Sequence, residues 1–370
     1  MDGVCTGCVF KKRASLCVKT LLYFGPSGIG DWCFIWPSLP ALLEQYGCDR
    51  VHIVVPYRNK GNELLALNPL VDEMTYLDRC TRGVSIVAYA FRWLGLLLKL
   101  RRHRFPVLAV SYLSDQVDFL LLSVLSGIPV RIGRDFPEAP FLGNAFTLRV
   151  HCDSSIGRVK VHASYLEHWD GSTKMAMFDE ALAQEQSLES AGLPGRFVVL
   201  AAGGGREAGW RFWPPQHFQS LVRCNPDINF VLLGGGQDDL DQAAAISGKH
   251  GFQNLYDLVN KTTMVQGLAL ISRAMAVVGN DTGIPNIAAT LGVPTLVIYG
   301  PSNFEITGAH ILGGEEVHIQ VPCSPCFDDR QDPTEAERCP HRNCMQTLDP
   351  ERVAVRMRGL IQSSVAGLAE

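Results

Sequence analysis

Residues 274–302 read AMAVVGNDTGIPNIAATLGVPTLVIYGPS, and this stretch decides the fold. An apolar, β-rich run ends at Asn280, a small turn of Asp281, Thr282 and Gly283 follows, then a helix-length segment, then a second apolar run, TLVIYG, at 295–300. Apolar strand, helix and apolar strand in that order make a parallel βαβ unit whose strands are covered on both faces. The uncharged run from Thr282 to Phe304 carries Pro, Gly and Asn residues, so it reads as a helix followed by a strand and not as a membrane span.

The same rhythm extends upstream. FVVLA at 197–201 and INFVLLG at 228–234 belong to the series of residues 274–302. In the first half, strands are expected at Val18–Phe24, at 51–55 (VHIVV), at 107–112 (VLAVSY) and at 128–132 (IPVRI). Helices are expected through Leu39–Tyr46, at 84–101 and at 115–126. Between about 150 and 195 the pattern weakens into a polar helix that closes at AGLPG, which marks an interdomain boundary. The expected class is α/β, with two Rossmann-like halves at 1–180 and 181–349 and a last helix within 350–370. At roughly 150 residues per domain, 370 residues accommodate that division.

Composition removes several function classes. Lys and Arg total 33 against 37 Asp and Glu, a formal charge of −4, so there is no basic footprint for nucleic acid. With 47% hydrophobic and 19% charged residues and 35 Gly, the chain has the profile of a globular protein rich in turns. Its 12 Cys are mostly scattered, which points to a reducing compartment. The start, MDGVCTGCVFKKRASLCVKTLLYFG, lacks an uninterrupted apolar core ending in small residues and does not read as a signal peptide; a cytoplasmic location is expected. Residues 86–101, IVAYAFRWLGLLLKLR, are apolar enough for a membrane surface or a partner, yet a two-sided sheet needs such helices to cover it, and that reading is preferred. Lys99, Arg101, Arg102, His103 and Arg104 end this helix, where cations suit its dipole and where an anionic acceptor or a lipid surface would also be met.

In open parallel sheets ligands bind beyond the carboxyl ends of the strands. Here the turns at those ends are small: Gly203, Gly204 and Gly205; Gly234, Gly235 and Gly236; Asp281, Thr282 and Gly283; Gly300, Pro301 and Ser302. One such turn is ordinary backbone economy, but four on one rim let main-chain amides and a helix N-terminus approach an anion such as a nucleoside diphosphate. In GPSGIGD, 25–31, neither a dinucleotide fingerprint nor a P-loop is present, which disfavours a dehydrogenase or a kinase. Asp31 there is either a helix cap, which spacing favours, or a general base facing the cleft. GREAGWRFWPPQHF, 205–218, sets Arg206 and Arg211 among aromatics, to neutralise an anion or simply to pack in a loop.

Cys323 and Cys326, twelve residues, then Cys339 and Cys344 give two pairs whose spacing suits a closed, structural Zn or Fe site; free thiols and two disulfides are the alternatives. Cys5 and Cys8 form a weaker pair.

Taken in order, GIGDWCFIWPSLPALLEQY, FWPPQHFQSLV, VLLGGGQDD, VVGNDTGIPNIAATLGVPTLVIYGPSN and the segment from CSPCF to CPHRNCM resemble glycosyltransferase family 9, the ADP-heptose heptosyltransferases of lipopolysaccharide core or autotransporter modification. The resemblance implies a GT-B fold with the donor on the C-terminal domain, the acceptor on the N-terminal one, a last helix crossing back, and no catalytic metal. It implies inverting transfer with Asp31 as the base and Arg211 on the phosphates or the acceptor anion. Gly204, Gly205, Arg206, Gly235, Gly300 and Ser302 would surround the donor. Thr282 and Gly283 would hold its diphosphate, Asp281 would face the sugar, and Gln237 and Asp238 would hold the ribose.

Two departures stand out: Asn286 occupies a position where the family commonly has His, and Arg211 one where it commonly has Lys. The first brings a donor sugar other than heptose into view. The Cys segment resembles an autotransporter subgroup that carries iron on four Cys and forms large rings, which implies a homo-oligomer; a lipopolysaccharide acceptor implies peripheral membrane contact. A same-fold epimerase or phosphorylase, and an inactive metal-stabilised scaffold, are the competing readings.

Overall fold

The computed structural model describes residues 18–57, 61–78, 85–114, 116–152, 157–168, 193–204, 209–248, 251–327 and 334–367. The expected pair Cys5 and Cys8, the 180/181 boundary, Gly205 and Arg206 lie outside the described residues.

Two six-stranded sheets are formed. The first has the order β3-β2-β1-β4-β5-β6, with β1 Thr20–Phe24, β2 Arg50–Val55, β3 Val71–Tyr76, β4 Val107–Val110, β5 Val130–Arg134 and β6 Leu148–Val150. The second has the order β12-β11-β10-β7-β8-β9, with β7 Val198–Ala201, β8 Phe230–Leu232, β9 Leu255–Asp257, β10 Ala276–Asn280, β11 Thr295–Ile298 and β12 Glu315–Val317. Every pairing is parallel, and each sheet reverses its order once, between β1 and β4 and between β7 and β10. Those reversals are the topological switch points where a crevice opens beyond the strand ends.

The central strands are the ones the sequence announces. β1, β4, β7, β8, β10 and β11 are buried almost throughout, because helices cover both faces. The expected run at 107–112 stops at Val110, where Ser111 N donates to the Phe24 carbonyl and the chain turns away. The run at 128–132 becomes strand only from Val130, because Gly127 takes a left-handed φ of 75° to close the preceding helix. β3, β6, β9 and β12, the four edge strands, are not marked in the sequence: each mixes polar with apolar residues and none is buried throughout, so no apolar run announces them.

The two domains touch through helix Ile29–Ile35, which follows β1, and helix Gly283–Thr290, which follows β10. Their first turns are close enough that a Cβ on Gly283 would lie 3.0 Å from Ile29 Cγ2. The last helix, Pro350–Gly367, does not rest where crossing back would take it. Val353, Ala354 and Met357 are buried in the second domain's core, and Arg358 bonds Asn225 and Asp227 there. An apolar stripe facing β10 and β11 accounts for that docking.

Candidate active site

Asp31 lies in the first turn of helix Ile29–Ile35, which is capped at Gly28 without any side-chain bond. The capping role that spacing favours is therefore not the one it plays. The turn before it is pinned by Trp32, whose Nε1 donates to the Pro26 carbonyl at 2.8 Å. Gly25 is required for that, since a Cβ there would sit 2.2 Å from the Trp32 ring. With the turn fixed, the Asp31 carboxylate faces outward and accepts a bond from Arg158 Nη1 at 2.6 Å. Arg158 opens helix Arg158–Ala163, directly after Gly157, whose φ of 82° turns the chain into the cleft. No pattern in the weak 150–195 stretch singled out Arg158; a Gly followed by Arg at a helix start was the available signal.

Across the cleft, Arg211 Nη1 lies 3.3 Å from Asp281 Oδ2, and its guanidinium stacks 4.5 Å from the Trp210 ring centroid. Of the two roles read for the Trp-Pro segment, the packing role is seen directly. Trp213 is core, its ring edge-on to Phe218 and its Nε1 on the Leu348 carbonyl, and that anchor sets Arg211 in the cleft. Asn280, at the end of β10, ties the rim together: Nδ2 donates to the Ala202 carbonyl at 2.5 Å and Oδ1 accepts from Trp213 N at 2.9 Å. A lone polar residue closing an apolar strand was its only mark in the sequence.

Three cavities meet here. One of about 290 Å³ is lined by Gly30, Asp31, Arg158, Arg211, Asp281, Thr282, Gly283, Asn286 and Ser302, and also by Asn303, Thr307 and Phe327, which sequence reasoning missed. A second, of about 490 Å³, runs beyond β7, β8 and β9 and includes Gly204, Gly235, Asp239, Asn260, Thr262, Thr282 and Gly283. A third, of about 270 Å³, lies between Ser27, Tyr57, Leu113, Gln116, Asp31 and Arg158 of the first domain and Phe327 of the second. Thr282 and Gly283 border the first two; Asp31 and Arg158 border the first and third. Within the first, Asn286 Oδ1 and Ser302 Oγ are buried without a hydrogen-bond partner among the described residues, which leaves polar atoms free for a ligand.

Three expected donor residues are elsewhere. Gln237 bonds Asp241 on the surface, and Asp238 lines a separate groove beside Pro214 and Arg342. Their neighbour Asp239 turns inward instead, its Oδ2 accepting from Gly235 N at 3.1 Å, and burial pushes its carboxyl up to about 6. The helix that starts at Gln237 carries the side chain two residues on into the turn, a detail of helical phase that composition cannot give. Gly300 packs on the Cys segment, since a Cβ there would meet Met345 Sδ at 2.2 Å.

The four cysteines Cys323, Cys326, Cys339 and Cys344 are free, which removes the two-disulfide alternative. They share one neighbourhood: burial first, and then the charges of Cys326, Cys323 and Cys339, push the Cys344 thiol up to about 11. Yet among the described residues no group of three or more His, Cys, Asp or Glu side chains is arranged to hold a metal ion. The donor set suits Fe or Zn, but this arrangement of it does not fit one.

Residues 158–336 match the family model described as Glycosyltransferase family 9 (heptosyltransferase). The chain is 29% identical over 164 residues to lipopolysaccharide heptosyltransferase 1 of Pseudomonas aeruginosa, an overlap of 41% of this chain and 44% of that one. It thus spans less than half the length of this curated relative. The structure of the E. coli ADP-heptose lipopolysaccharide heptosyltransferase II superposes with a TM-score of 0.70 at 18% identity, covering 93% of this chain and 99% of that one. The iron-containing dodecameric glycosyltransferase TibC of enterotoxigenic E. coli superposes with a TM-score of 0.54 at 13% identity, over 94% of this chain and 78% of that one. At these identities the likeness establishes the architecture: two Rossmann-like domains facing a cleft, the GT-B fold.

Proposed function

We propose that this chain, whose residues 158–336 match the model of glycosyltransferase family 9, is a member of that family and transfers a heptose, with inversion, from an ADP-linked donor to a hydroxyl of a lipopolysaccharide core or protein acceptor. The observation that carries this reading is the shared lining of three cavities, which meet in sequence at Thr282 and Gly283 and then at Asp31 and Arg158. That order matches a nucleoside, a diphosphate, a sugar and an acceptor laid end to end. The similarity to a fold neighbour named for ADP-heptose supports the same donor class.

The nucleoside occupies the 490 Å³ cavity, and its diphosphate lies at the start of helix Gly283–Thr290, where main-chain N–H groups and the helix dipole favour an anion. The sugar fills the 290 Å³ cavity, with Asn286 Oδ1 and Ser302 Oγ as buried partners for its hydroxyls. The acceptor hydroxyl enters from the 270 Å³ cavity and gives its proton to Asp31 as its oxygen attacks the anomeric carbon. The bond to the diphosphate breaks on the opposite side, so the configuration inverts. The electron pair leaves on a phosphate oxygen, stabilised by the helix N-terminus and the Arg211 guanidinium. Arg158 aims the Asp31 carboxylate. No step requires a metal, and structural iron on the Cys segment is not part of this reading.

A second reading, the same reaction with another nucleotide sugar, is favoured by Asn286 itself, whose amide meets sugar hydroxyls differently from an imidazole. A panel of ADP-heptose, other ADP-sugars and UDP- and GDP-sugars tests both, scored by thermal shift and nucleoside diphosphate release. A selective response to ADP-heptose is expected. A response to another donor alone selects the second reading, and silence across the panel overturns both in favour of an inactive scaffold.

A further inference from the structure

Helix Ile86–His103 covers the first sheet with only one of its faces. Leu96, Leu97 and Leu100 are buried, whereas Val87, Phe91, Leu94 and Leu98 stand exposed at positions i, i+4, i+7 and i+11, a single stripe. Helix Val117–Ser126 repeats the pattern, with Phe119, Leu120 and Leu122 inside and Val117, Leu121, Val124 and Leu125 outside. Three bonds hold the two together: Tyr89 Oη to Asp118 Oδ2 at 2.5 Å, Trp93 Nε1 to the Asp118 carbonyl at 3.3 Å, and Arg101 Nε to the Leu125 carbonyl at 2.8 Å. Because these contacts advance together along both chains, the helices lie parallel and their exposed stripes run side by side. Phe141, 72% exposed, extends the patch from the segment packed on the second helix. A sheet needs one covering face per helix, so a second apolar face on each is surplus to the fold and marks a contact surface.

Two features say what covers it. At the carboxyl end of the longer helix, Arg101, Arg102, His103 and Arg104 are all exposed, so the apolar stripe terminates in a block of positive charge. Apolar stripe and basic block together match the acyl and headgroup layers of an anionic bilayer, in the manner of a helix lying in the interface. At the other end, the patch reaches the reaction cleft. Leu113 and Gln116 line the 270 Å³ cavity with Asp31 and Arg158, and Val117, the next residue, begins the second stripe. Among the described residues no helix is long and apolar enough to cross a membrane.

We propose that the paired face of helices Ile86–His103 and Val117–Ser126 is a docking surface for an anionic phospholipid bilayer, which presents the acceptor cavity of Asp31 to a membrane-anchored acceptor. The docking stands on the patch and its charge alone; only the presentation of an acceptor rests on the function proposed above.

Co-sedimentation of the whole chain with vesicles tests it, using phosphatidylglycerol with phosphatidylethanolamine against phosphatidylcholine, all free of glycolipid. Binding to the anionic vesicles and not to the neutral ones is expected. The double variant Phe91→Ser, Leu121→Ser should lose at least tenfold in that binding, and Arg102→Gln, Arg104→Gln should remove its salt dependence. Both pairs are exposed, so the urea unfolding midpoint should be unchanged, which separates loss of docking from loss of fold. Absence of vesicle binding, or binding that the serine pair leaves intact, overturns the proposal. A concentration-dependent dimer abolished by the serine pair, without vesicle binding, overturns it in favour of a second copy of this chain. None of these readouts needs turnover, so docking and the transferase reading stand or fall separately.

Discussion

Beyond β7, β8 and β10 the cleft wall brings main chain and small side chains to its rim, Gly203, Gly204, Gly234, Gly235, Thr282 and Gly283, beside the Arg211–Asp281 pair, whereas beyond β1, at the equivalent switch point of the other sheet, it presents the charged pair of Asp31 and Arg158. The outer surfaces contrast as sharply. Of the exposed large hydrophobic side chains among the described residues, all but Leu240 and Val355 precede residue 150. On the proposed function, one strand order serves two tasks: the second half holds an anionic ligand through main-chain groups, and the first reacts at a side chain while facing an apolar partner. A wall of glycines suits a phosphate because nothing stands between amide and anion; a wall of charged side chains suits proton transfer because their position is set by neighbours.

The largest effect that can break this contrast is expected at Asp31. Asp31→Asn keeps the shape and removes the base, so kcat should fall about a thousandfold with donor affinity within about a factor of two. Loss of donor affinity with retained kcat in single-turnover assays would place Asp31 on the binding side instead. Arg158→Met should lower kcat by roughly ten- to a hundredfold, again sparing donor affinity, because it removes only the bond that aims Asp31; an unchanged kcat shows that the carboxylate is held without it.

On the binding side, Gly234→Ala places a Cβ 2.4 Å from Asp239 Oδ1, on a carboxylate whose other oxygen, Oδ2, accepts from Gly235 N. The variant should lose roughly 1–3 kcal/mol in urea unfolding and weaken nucleotide binding. Wild-type stability would mean that the turn is looser than its bonds suggest.

The smallest expected effects are pH slopes of opposite sign in the two halves. Burial raises Asp239 to about 6, so the folded chain keeps a proton that the unfolded chain releases. Its contribution is therefore full at acid pH and is lost as pH rises through about 6. Asp239→Asn should gain on wild type by on the order of 2 kcal/mol between about pH 4 and pH 8. Burial lowers His162 to about 3, and its two ring nitrogens have no hydrogen-bond partner among the described residues. That group's contribution is present above the ordinary imidazole range and is lost as pH falls towards about 3, so His162→Phe should flatten the acid limb. Parallel slopes from the two variants in pH-resolved urea unfolding would remove the distinction.

How much could be read beforehand followed from which signals are local. β10, its turn and the helix after it are legible because a buried parallel strand must be apolar and a turn at its end must be small. β9, LYD, and β12, EEV, are not legible, because three half-buried edge residues carry no period. Asp31 is visible as a carboxylate at a helix start, but that Gly28 and not Asp31 caps the helix is decided only by the structure. Asp239 was passed over for Gln237 and Asp238 because one step along a helix turns a side chain by about 100°.

The sequence by itself determined two parallel α/β halves, the small-residue turns that suit a diphosphate, and the apolar character of residues 86–101. Alternation of apolar runs and turn residues is written locally, and each is forced by burial or by backbone geometry. Only the tertiary structure decided that Arg158 meets Asp31 across 127 positions, that Asn280 ties β10 to Trp213, and that the helix of residues 86–103 leaves a second apolar face in the open. Those facts depend on which faces the two sheets present to one another and to solvent, and helical phase and chain crossing fix that only when the whole molecule is assembled.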